Sequence, residues 1–355
     1  MHLGKFGKLD FWRGKRVLVT GHTGFKGTWF CILLQKLGCH VTGISDDRFK
    51  DYRLFESVKD NLTVENIIYD LRNGFPDTVD NDYDFVFHFA AQSVVSEGHK
   101  DPFRTYSSNI LNTVNSIEKF ISVKSKCIFI NVTSDKCYFN LESKTPYPEN
   151  SQIGGLDHYS ASKACCEIIN TCYQHQLSDH PLFTLISVRA GNVIGGGDWT
   201  KDRLVPDLMR HIFEGKPIKF RNLNAVRPWQ HVIEPLTAYL KIAQSAYTKN
   251  IYKHDSFNIG PLENNMRTVG EIVNSISGLH KIELKSVIEE EIFYETSILK
   301  LDITKILSEG YWTPLWDFEN TILKTYEWYR DYNINKNAFA LCLRDIEEYG
   351  ENYAL

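Results

Sequence analysis

A chain of 355 residues, 43% hydrophobic and 24% charged, can bury a large core, which argues against a disordered chain and suggests two domains or one large α/β unit. A formal net charge of -4, with basic residues scattered, gives no reason to expect nucleic acid or an anionic membrane as partner. No apolar run reaches the roughly 18–20 residues of a membrane span, and the polar opening from Met1 to Asp10 lacks the apolar core of an export signal, so a cytoplasmic protein is expected.

The chain begins with a lead-in to Gly14 in which Phe11 and Trp12 pack under a first strand, Val17 to Val19. That strand ends in three glycines, Gly21, Gly24 and Gly27, before an amphipathic stretch carrying Trp29, Phe30, Ile32, Leu33 and Leu37. A strand that turns through glycines into a helix offers bare N–H groups and a positive helix end to a phosphate, so dinucleotide binding is expected here. Cys39 to Ser45 alternates as a second strand and ends in Asp46-Asp47. A carboxylate there accepts hydrogen bonds from ribose hydroxyls and repels an extra phosphate, favouring NAD over NADP, although Arg48 and Lys50 follow at once.

Asn66 to Leu71 reads as a third strand, with Asp70 placed to reach an adenine amino group. Tyr83 to Ala91 is an apolar run suited to a strand buried on both faces, and small Ala90 and Ala91 leave room for a cofactor across its tip. Helical spacing of Ile110, Val114, Ile117 and Ile121 marks a helix over about 102–123, and Cys127 to Val132 is a fifth strand running into Thr133-Ser-Asp-Lys-Cys-Tyr138. This alternation predicts an α/β protein, a Rossmann-type doubly wound parallel sheet with a smaller α+β substrate-binding domain. After a sixth strand (Phe183 to Arg189) the alternation stops, and helices are expected over about 202–213, 232–247, 269–277, 316–329 and 338–348. The expected division is residues 1–190 for the cofactor, with a segment of about 230–256 returning to it, and 191–355 mainly for substrate.

The eight cysteines (Cys31, Cys39, Cys127, Cys137, Cys165, Cys166, Cys172 and Cys342) contain no C-x-x-C pair and read as free, mostly buried thiols, with no metal site expected. Cys137 stands out because it lies beside the proposed site, next to Asp135-Lys136. The strongest chemical signal comes from Tyr159 and Lys163, four apart and therefore on one helix face. An ammonium beside a phenol lowers the phenol pKa and makes Tyr159 a general base toward a hydroxyl. With Ser134 at a strand end to hold the same oxygen, the set describes hydride transfer at an alcohol carbon.

These residues carry a resemblance covering about residues 11–330. The chain resembles the extended short-chain dehydrogenases/reductases, and within them the CDP-glucose 4,6-dehydratases. The match runs through Phe-Trp-x-Gly-Lys-Arg-Val (11–17), Thr-Gly-His-Thr-Gly-Phe-Lys-Gly (20–27), Leu-Phe-Glu (54–56), Ala-Ala-Gln (90–92) and Thr-Ser-Asp-Lys-Cys-Tyr (133–138). It continues through Arg-Ala-Gly-Asn-Val-Ile-Gly-Gly-Gly-Asp-Trp (189–199), Arg-Pro-Trp-Gln-His-Val (227–232) and Phe-Asn-Ile-Gly-Pro (257–261). Related dehydratases carry Asp-Glu where this chain has Asp135-Lys136. It departs from the family in Ser93-Val-Val-Ser96, in place of Pro-Leu-Val-Arg, in His158 before Tyr159, and in Tyr69-Asp-Leu-Arg-Asn73.

The resemblance implies that Tyr159 takes the proton of the sugar 4-hydroxyl while hydride leaves C4 for NAD. Asp135 then protonates the departing 6-hydroxyl, Lys136 removes the C5 proton as a neutral amine, and hydride returns to C6. The product would be a 4-keto-6-deoxy sugar nucleotide for deoxysugar and lipopolysaccharide synthesis. It further implies cofactor contacts from Gly21, Thr23, Gly24, Phe25, Lys26, Gly27, Asp46, Asp70, Leu71, Ala90, Ala91, Gln92, Asn109, Tyr159 and Lys163. Substrate contacts would come from Asn192, Asp198, Trp199, Arg203, Arg227 and His231, although His231 could equally cap the helix that follows and Gly195 to Gly197 could be a flexible loop. A homodimer or higher homo-oligomer is expected from the helices before strand five and around Tyr159. The alternatives are another sugar-nucleotide 4,6-dehydratase, a 4-epimerase, or a non-enzymatic NAD-binding scaffold.

Overall fold

The computed structural model describes residues 11–46, 52–216, 218–220, 222–249, 255–262, 266–282, 287–288 and 296–353. Met1 to Asp10, and the Asp47, Arg48 and Lys50 of the cofactor argument, lie outside them. Seven strands form the central sheet: β1 (Arg16–Thr20), β2 (His40–Ser45), β3 (Glu65–Ile68), β4 (Phe85–His88), β5 (Cys127–Val132), β6 (Phe183–Ala190) and β7 (Asp255–Ile259). All pairs are parallel, in the order β7-β6-β5-β4-β1-β2-β3. The inner strands are apolar because helices cover both faces: β4, β5 and β6 are buried at every position. Strand order runs outward in both directions from β1 and β4, so the crevice past their carboxyl ends is the switch point at which such sheets bind ligands.

The helices are α1 (Phe25–Lys36), α2 (Arg53–Val58), α3 (Val95–Lys100), α4 (Pro102–Tyr106), α5 (Asn112–Phe120), α6 (His158–Gln176), α7 (Leu204–Glu214), α8 (Ile233–Thr248), α9 (Val269–His280), α10 (Thr304–Ser308), α11 (Phe318–Asn335) and α12 (Ala338–Tyr353). The single helix expected over 102–123 is divided by a π turn, Ser107–Leu111. The wider turn carries buried Asn109 inward, where Oδ1 accepts the Gln92 N–H (2.7 Å) and Nδ2 donates to Ser162 Oγ (2.7 Å). The third strand is shorter than its apolar signal suggested, because Asp70 leaves the sheet to cap the 3₁₀ turn Leu71–Asn73 through the Arg72 N–H. Lead-in residue Trp12 packs on Phe85 with ring centroids 4.6 Å apart, as its position before β1 requires.

Helices α8 and α12 meet over a buried carboxylate. Glu234 Oε1 accepts the backbone N–H groups of Leu315 (3.0 Å) and Trp316 (2.6 Å), and Oε2 accepts the Tyr349 hydroxyl (2.6 Å). Burial pushes this carboxyl up to about 7 against the pull of those hydrogen bonds. Its folded pKa lies above its unfolded one, so the stability linked to its proton is present at low pH and is lost as pH rises through about 7. Glu234→Gln keeps an acceptor for both N–H groups and a donor for Tyr349. The variant is expected to melt later than the parent at about pH 8, by on the order of 3 kcal/mol, with no gain at about pH 4. Thermal melts across that range measure the difference, and parallel curves would exclude it.

Candidate active site

The crevice at the switch point is a cavity of about 1410 Å³. That exceeds the roughly 300–1,000 Å³ that one small ligand takes, and leaves room for two. Its floor is the glycine turn. Gly21 has φ +72°, and a Cβ there would stand 2.8 Å from the backbone nitrogen of Ala90, so only glycine fits where the turn passes the end of β4. Helix α1 starts at Gly24 with no side-chain cap and no acidic residue in its first turn, so its N–H groups face the cavity uncompensated. Thr23 lines the same wall, and its buried Oγ1 has no partner among the described residues. His22 serves packing instead. It is fully buried against Gly43, with Nε2 2.8 Å from Asn66 Oδ1 and Nδ1 3.0 Å from Ser45 Oγ, and burial pushes its imidazole down to about 4.

Phe25, Lys26, Gly27, Asp46, Asp70, Leu71, Ala90, Ala91 and Gln92 all line the cavity. Asp70 is gripped by Arg72, whose Nε and NH2 each lie 3.0 Å from a carboxylate oxygen. Asn109 does not reach the cavity: it is held beneath Gln92, whose backbone it clamps from both sides.

On the opposite wall the strand-to-turn step β5–Cys137 presents Ser134, Asp135 and Lys136, and α6 presents Tyr159 and Lys163. Asp157 caps α6 through the Ser160 N–H (2.9 Å), fixing where Tyr159 emerges. Ser134 Oγ donates to Asp135 Oδ1 at 2.9 Å and lies close enough to the Tyr159 phenol to favour its ionised form, so one hydroxyl stands between the two acid/base groups. Asp135 Oδ2 is buried without a partner among the described residues. The expected depression of the Tyr159 pKa is not found. Burial pushes the phenol up to about 12, with Ser134 and the charge of Arg203 opposing, while Lys163 Nζ donates to the Val132 carbonyl at 3.3 Å. Lys26 faces the same space. Burial, with Arg203 and Lys163 as neighbouring cations, pushes its ammonium down to about 7. Cys137 is fully buried outside the lining, and burial raises its thiol well above the ordinary range, which removes it as a nucleophile.

Of the proposed substrate contacts, Asn192, Asp198, Arg203 and Arg227 line the cavity, and Trp199 and His231 do not. Trp199 packs on Tyr329 and Tyr332 because its ring completes an aromatic cluster with α11. His231 is fully buried between Trp29 and Trp316 and accepts the Ile233 N–H (3.4 Å) at the start of α8; burial pushes it down to about 3. Gly195 to Gly197 is neither a ligand loop nor a loose one: Trp29 donates to the Gly196 carbonyl at 2.9 Å, and any Cβ on Gly196 would strike Trp328. Arg203 bridges Asp198 Oδ2 (3.1 Å) and Ser93 Oγ (2.9 Å). Sequence reasoning did not single out Glu167, buried under the turn; its spacing of four from Lys163 was the available signal.

Gly191 offers a direct probe of Asp135. A Cβ at this position would lie 2.3 Å from Asp135 Oδ2 and 2.9 Å from Pro228 Cγ, so the carboxylate and the proline ring must both shift. Gly191→Ala is expected to lower turnover roughly 100-fold and to cost about 1–3 kcal/mol of stability. A variant as active as the parent would show that Asp135 does not act from this position.

Comparison with known proteins follows this geometry. Residues 18–325 match the family described as GDP-mannose 4,6 dehydratase. The chain is 37% identical over 350 residues, 96% of its length and 97% of the relative's, to a CDP-glucose 4,6-dehydratase of Salmonella typhimurium. It is 25% identical to a UDP-glucose 4-epimerase of Mycoplasma pneumoniae, over 82% of this chain and 89% of that one. Among solved structures, a Bacillus cereus UDP-glucuronic acid 4-epimerase in complex with UDP-glucuronic acid and NAD superposes with a TM-score of 0.78 at 20% identity, covering 89% of this chain and 99% of that one. A dTDP-glucose 4,6-dehydratase of Bacillus anthracis in complex with NAD gives 0.73 at 22%, covering 93% and 100%. At those identities the structural likeness establishes the fold.

Proposed function

The chain belongs to the GDP-mannose 4,6 dehydratase family, and from that premise we propose that it is an NAD-dependent CDP-glucose 4,6-dehydratase, a hydro-lyase that converts CDP-glucose to CDP-4-keto-6-deoxyglucose. The observation that carries the reading is the meeting of two acid/base sets in one cavity, Tyr159 with Lys163 and Asp135 with Lys136, joined by Ser134. A 4-epimerase uses the first set and has no task for the second. The near full-length similarity to a CDP-glucose 4,6-dehydratase supports the choice of nucleotide.

The glycine turn fits NAD on two counts: the uncapped positive end of α1 suits a diphosphate, and the unpartnered Thr23 hydroxyl suits a phosphate oxygen. Asp46 and Asp70 would meet the adenosine end, and Ala90 and Ala91 leave its path open. Hydride removal from C4 and its return to C6 is the chemistry bound NAD supplies, with no net redox change. The chain's own residues handle protons and position. Tyr159 takes the proton of the 4-hydroxyl, whose oxygen Ser134 holds. The resulting ketone acidifies C5, Lys136 takes the C5 proton, and Asp135 protonates the 6-hydroxyl so that it leaves as water. Arg203 and Arg227 would hold the diphosphate and nucleoside, with Asn192 and Asp198 beside them.

The deciding experiment incubates the protein with CDP-, dTDP-, GDP- and UDP-glucose and weighs the products. Loss of one water from CDP-glucose is expected; an isomer of unchanged mass would replace the reading with epimerisation, and no reaction with any of them would leave a scaffold. Lys136→Ala is expected to lose C5 proton exchange with solvent by roughly 100-fold, and exchange at the parent rate would remove Lys136 as the base. We further propose a division of labour, with residues 1–190 and a returning segment near 230–256 for NAD, and residues 191–355 mainly for the nucleotide sugar. Exposed Leu111 and Ile168, on neighbouring helical segments, support pairing of two copies, and light scattering should report at least a homodimer. Among the described residues no helix is long and apolar enough to cross a membrane. A cytoplasmic place in deoxysugar and lipopolysaccharide synthesis accords with the proposed product.

A further inference from the structure

One buried ion pair touches both ends of the turn that carries Ser134, Asp135 and Lys136. Glu167, on α6 four residues beyond Lys163, is 1% exposed, and Arg189 on β6 is 4% exposed. Arg189 NH2 donates to Glu167 Oε2 at 2.7 Å. Glu167 Oε1 accepts the hydroxyls of Thr133, the residue before Ser134, and of Ser187. Arg189 NH1 donates to the hydroxyl of Tyr138 (2.8 Å), at the far end of the turn, and to the Glu149 carbonyl (2.8 Å). Tyr138 in turn donates to Asn258 Oδ1 at 2.7 Å, which ties the turn to β7.

We propose that Glu167 and Arg189 are positioning residues that set the distance and register between the Asp135-Lys136 turn and the Tyr159-Lys163 helix. The inference rests on the dehydratase reading above, in which both sets must face one sugar. Glu167 belongs to the Tyr159 helix and grips the turn's start, while Arg189 grips its end. Neither side chain lines the cavity. A buried charge pair is a costly way to gain stability alone, because each charge surrenders its hydration. Its geometric yield is larger: the guanidinium and the two-oxygen carboxylate together hold four further groups, those of Thr133, Ser187, Tyr138 and Glu149, and a shift of about 1 Å at reacting groups is worth roughly 100-fold in rate.

Loss of the clamp affects the two halves of the reaction unequally. Oxidation at C4 needs Tyr159, Lys163 and Ser134 at the sugar's 4-hydroxyl. Elimination needs the turn as well, set against the same sugar. In Glu167→Gln the carboxamide keeps its shape and loses its charge. In Arg189→Lys the charge stays and the fork is lost. Tyr138→Phe removes one hydroxyl and leaves the ion pair intact, which keeps a folded variant in hand if the charge variants fail.

The test uses the NAD-loaded full chain with CDP-glucose and follows two readouts. The first is the ratio of C4 oxidation, read as near-ultraviolet absorbance of reduced nicotinamide in a single turnover, to water loss, read by product mass. The second is hydrogen–deuterium exchange of the backbone amides of 133–138, which needs no substrate. In the variants, water loss should fall roughly 10- to 100-fold more than C4 oxidation, reduced cofactor should accumulate, and amide exchange in the turn should quicken. Equal loss of both steps, or unchanged exchange in the turn, would overturn the proposal. If the parent converts no nucleotide glucose, the dehydratase reading fails on its own, and the exchange measurement still decides whether the pair holds the turn.

Discussion

Tyr159→Phe is expected to lower turnover by roughly 10³-fold while the affinity for nucleotide sugar stays within about a factor of three. Phenylalanine fills the same buried space, so packing is kept and only the phenol hydroxyl is lost. The pH profile carries a second mark of the same group. The active form is the phenolate, and burial holds the phenol up to about 12, so at neutral pH most molecules carry the proton. The parent's kcat/KM should therefore climb with pH over about pH 6–9, by at most about tenfold per unit, and the slope should vanish in Tyr159→Phe. Calorimetric binding and initial rates measure both. A variant that keeps turnover, or a parent profile falling with pH in that range, would assign the base elsewhere.

Gly27→Ala is expected to weaken NAD binding at least 100-fold and to destabilise the fold by about 1–3 kcal/mol. A Cβ at Gly27 would stand 2.2 Å from the Gly21 carbonyl oxygen and 2.7 Å from His22 Cα. Both are backbone atoms, so the clash cannot be relieved by a rotamer change and the whole turn must move. Displacing the turn shifts the α1 N–H groups from the position a diphosphate would use. Gly24→Ala makes a useful contrast, since its Cβ would meet only the Gly21 oxygen, at 3.3 Å. Titration with NAD and thermal melts should rank Gly27→Ala well below Gly24→Ala, and equal affinities would separate the glycine turn from cofactor binding.

Much of the sheet was legible in the sequence because the inner strands are buried on both faces and therefore written as mainly apolar runs; Cys127–Val132 matches its expected bounds at both ends. The glycine turn was legible for the opposite reason, its backbone leaving no room for side chains. What the sequence hid were roles decided by partners far along the chain. His231 read equally as a ligand or as a cap for the helix that follows; it accepts the Ile233 N–H at the start of α8, and its enclosure by Trp29 and Trp316 is what no local pattern connects. Trp199 was drawn into an aromatic cluster by residues more than a hundred positions away. The π turn at Asn109 was invisible because helical spacing continues on both sides of it. The Tyr159–Lys163 spacing correctly placed both groups in one cavity, yet spacing carries no account of desolvation, which reverses the shift it suggested.

Helix α12 lies against α1 and α2, with Lys36 paired to Glu347 and Tyr349 closing over Glu234. The segment that opens the glycine turn is thus roofed by residues translated some three hundred positions later. During synthesis on the ribosome, β1 and α1 emerge first and must wait with an uncovered apolar flank until α12 clears the exit tunnel. The first strand–helix unit of the sheet therefore completes its packing only when the last described helix has been made.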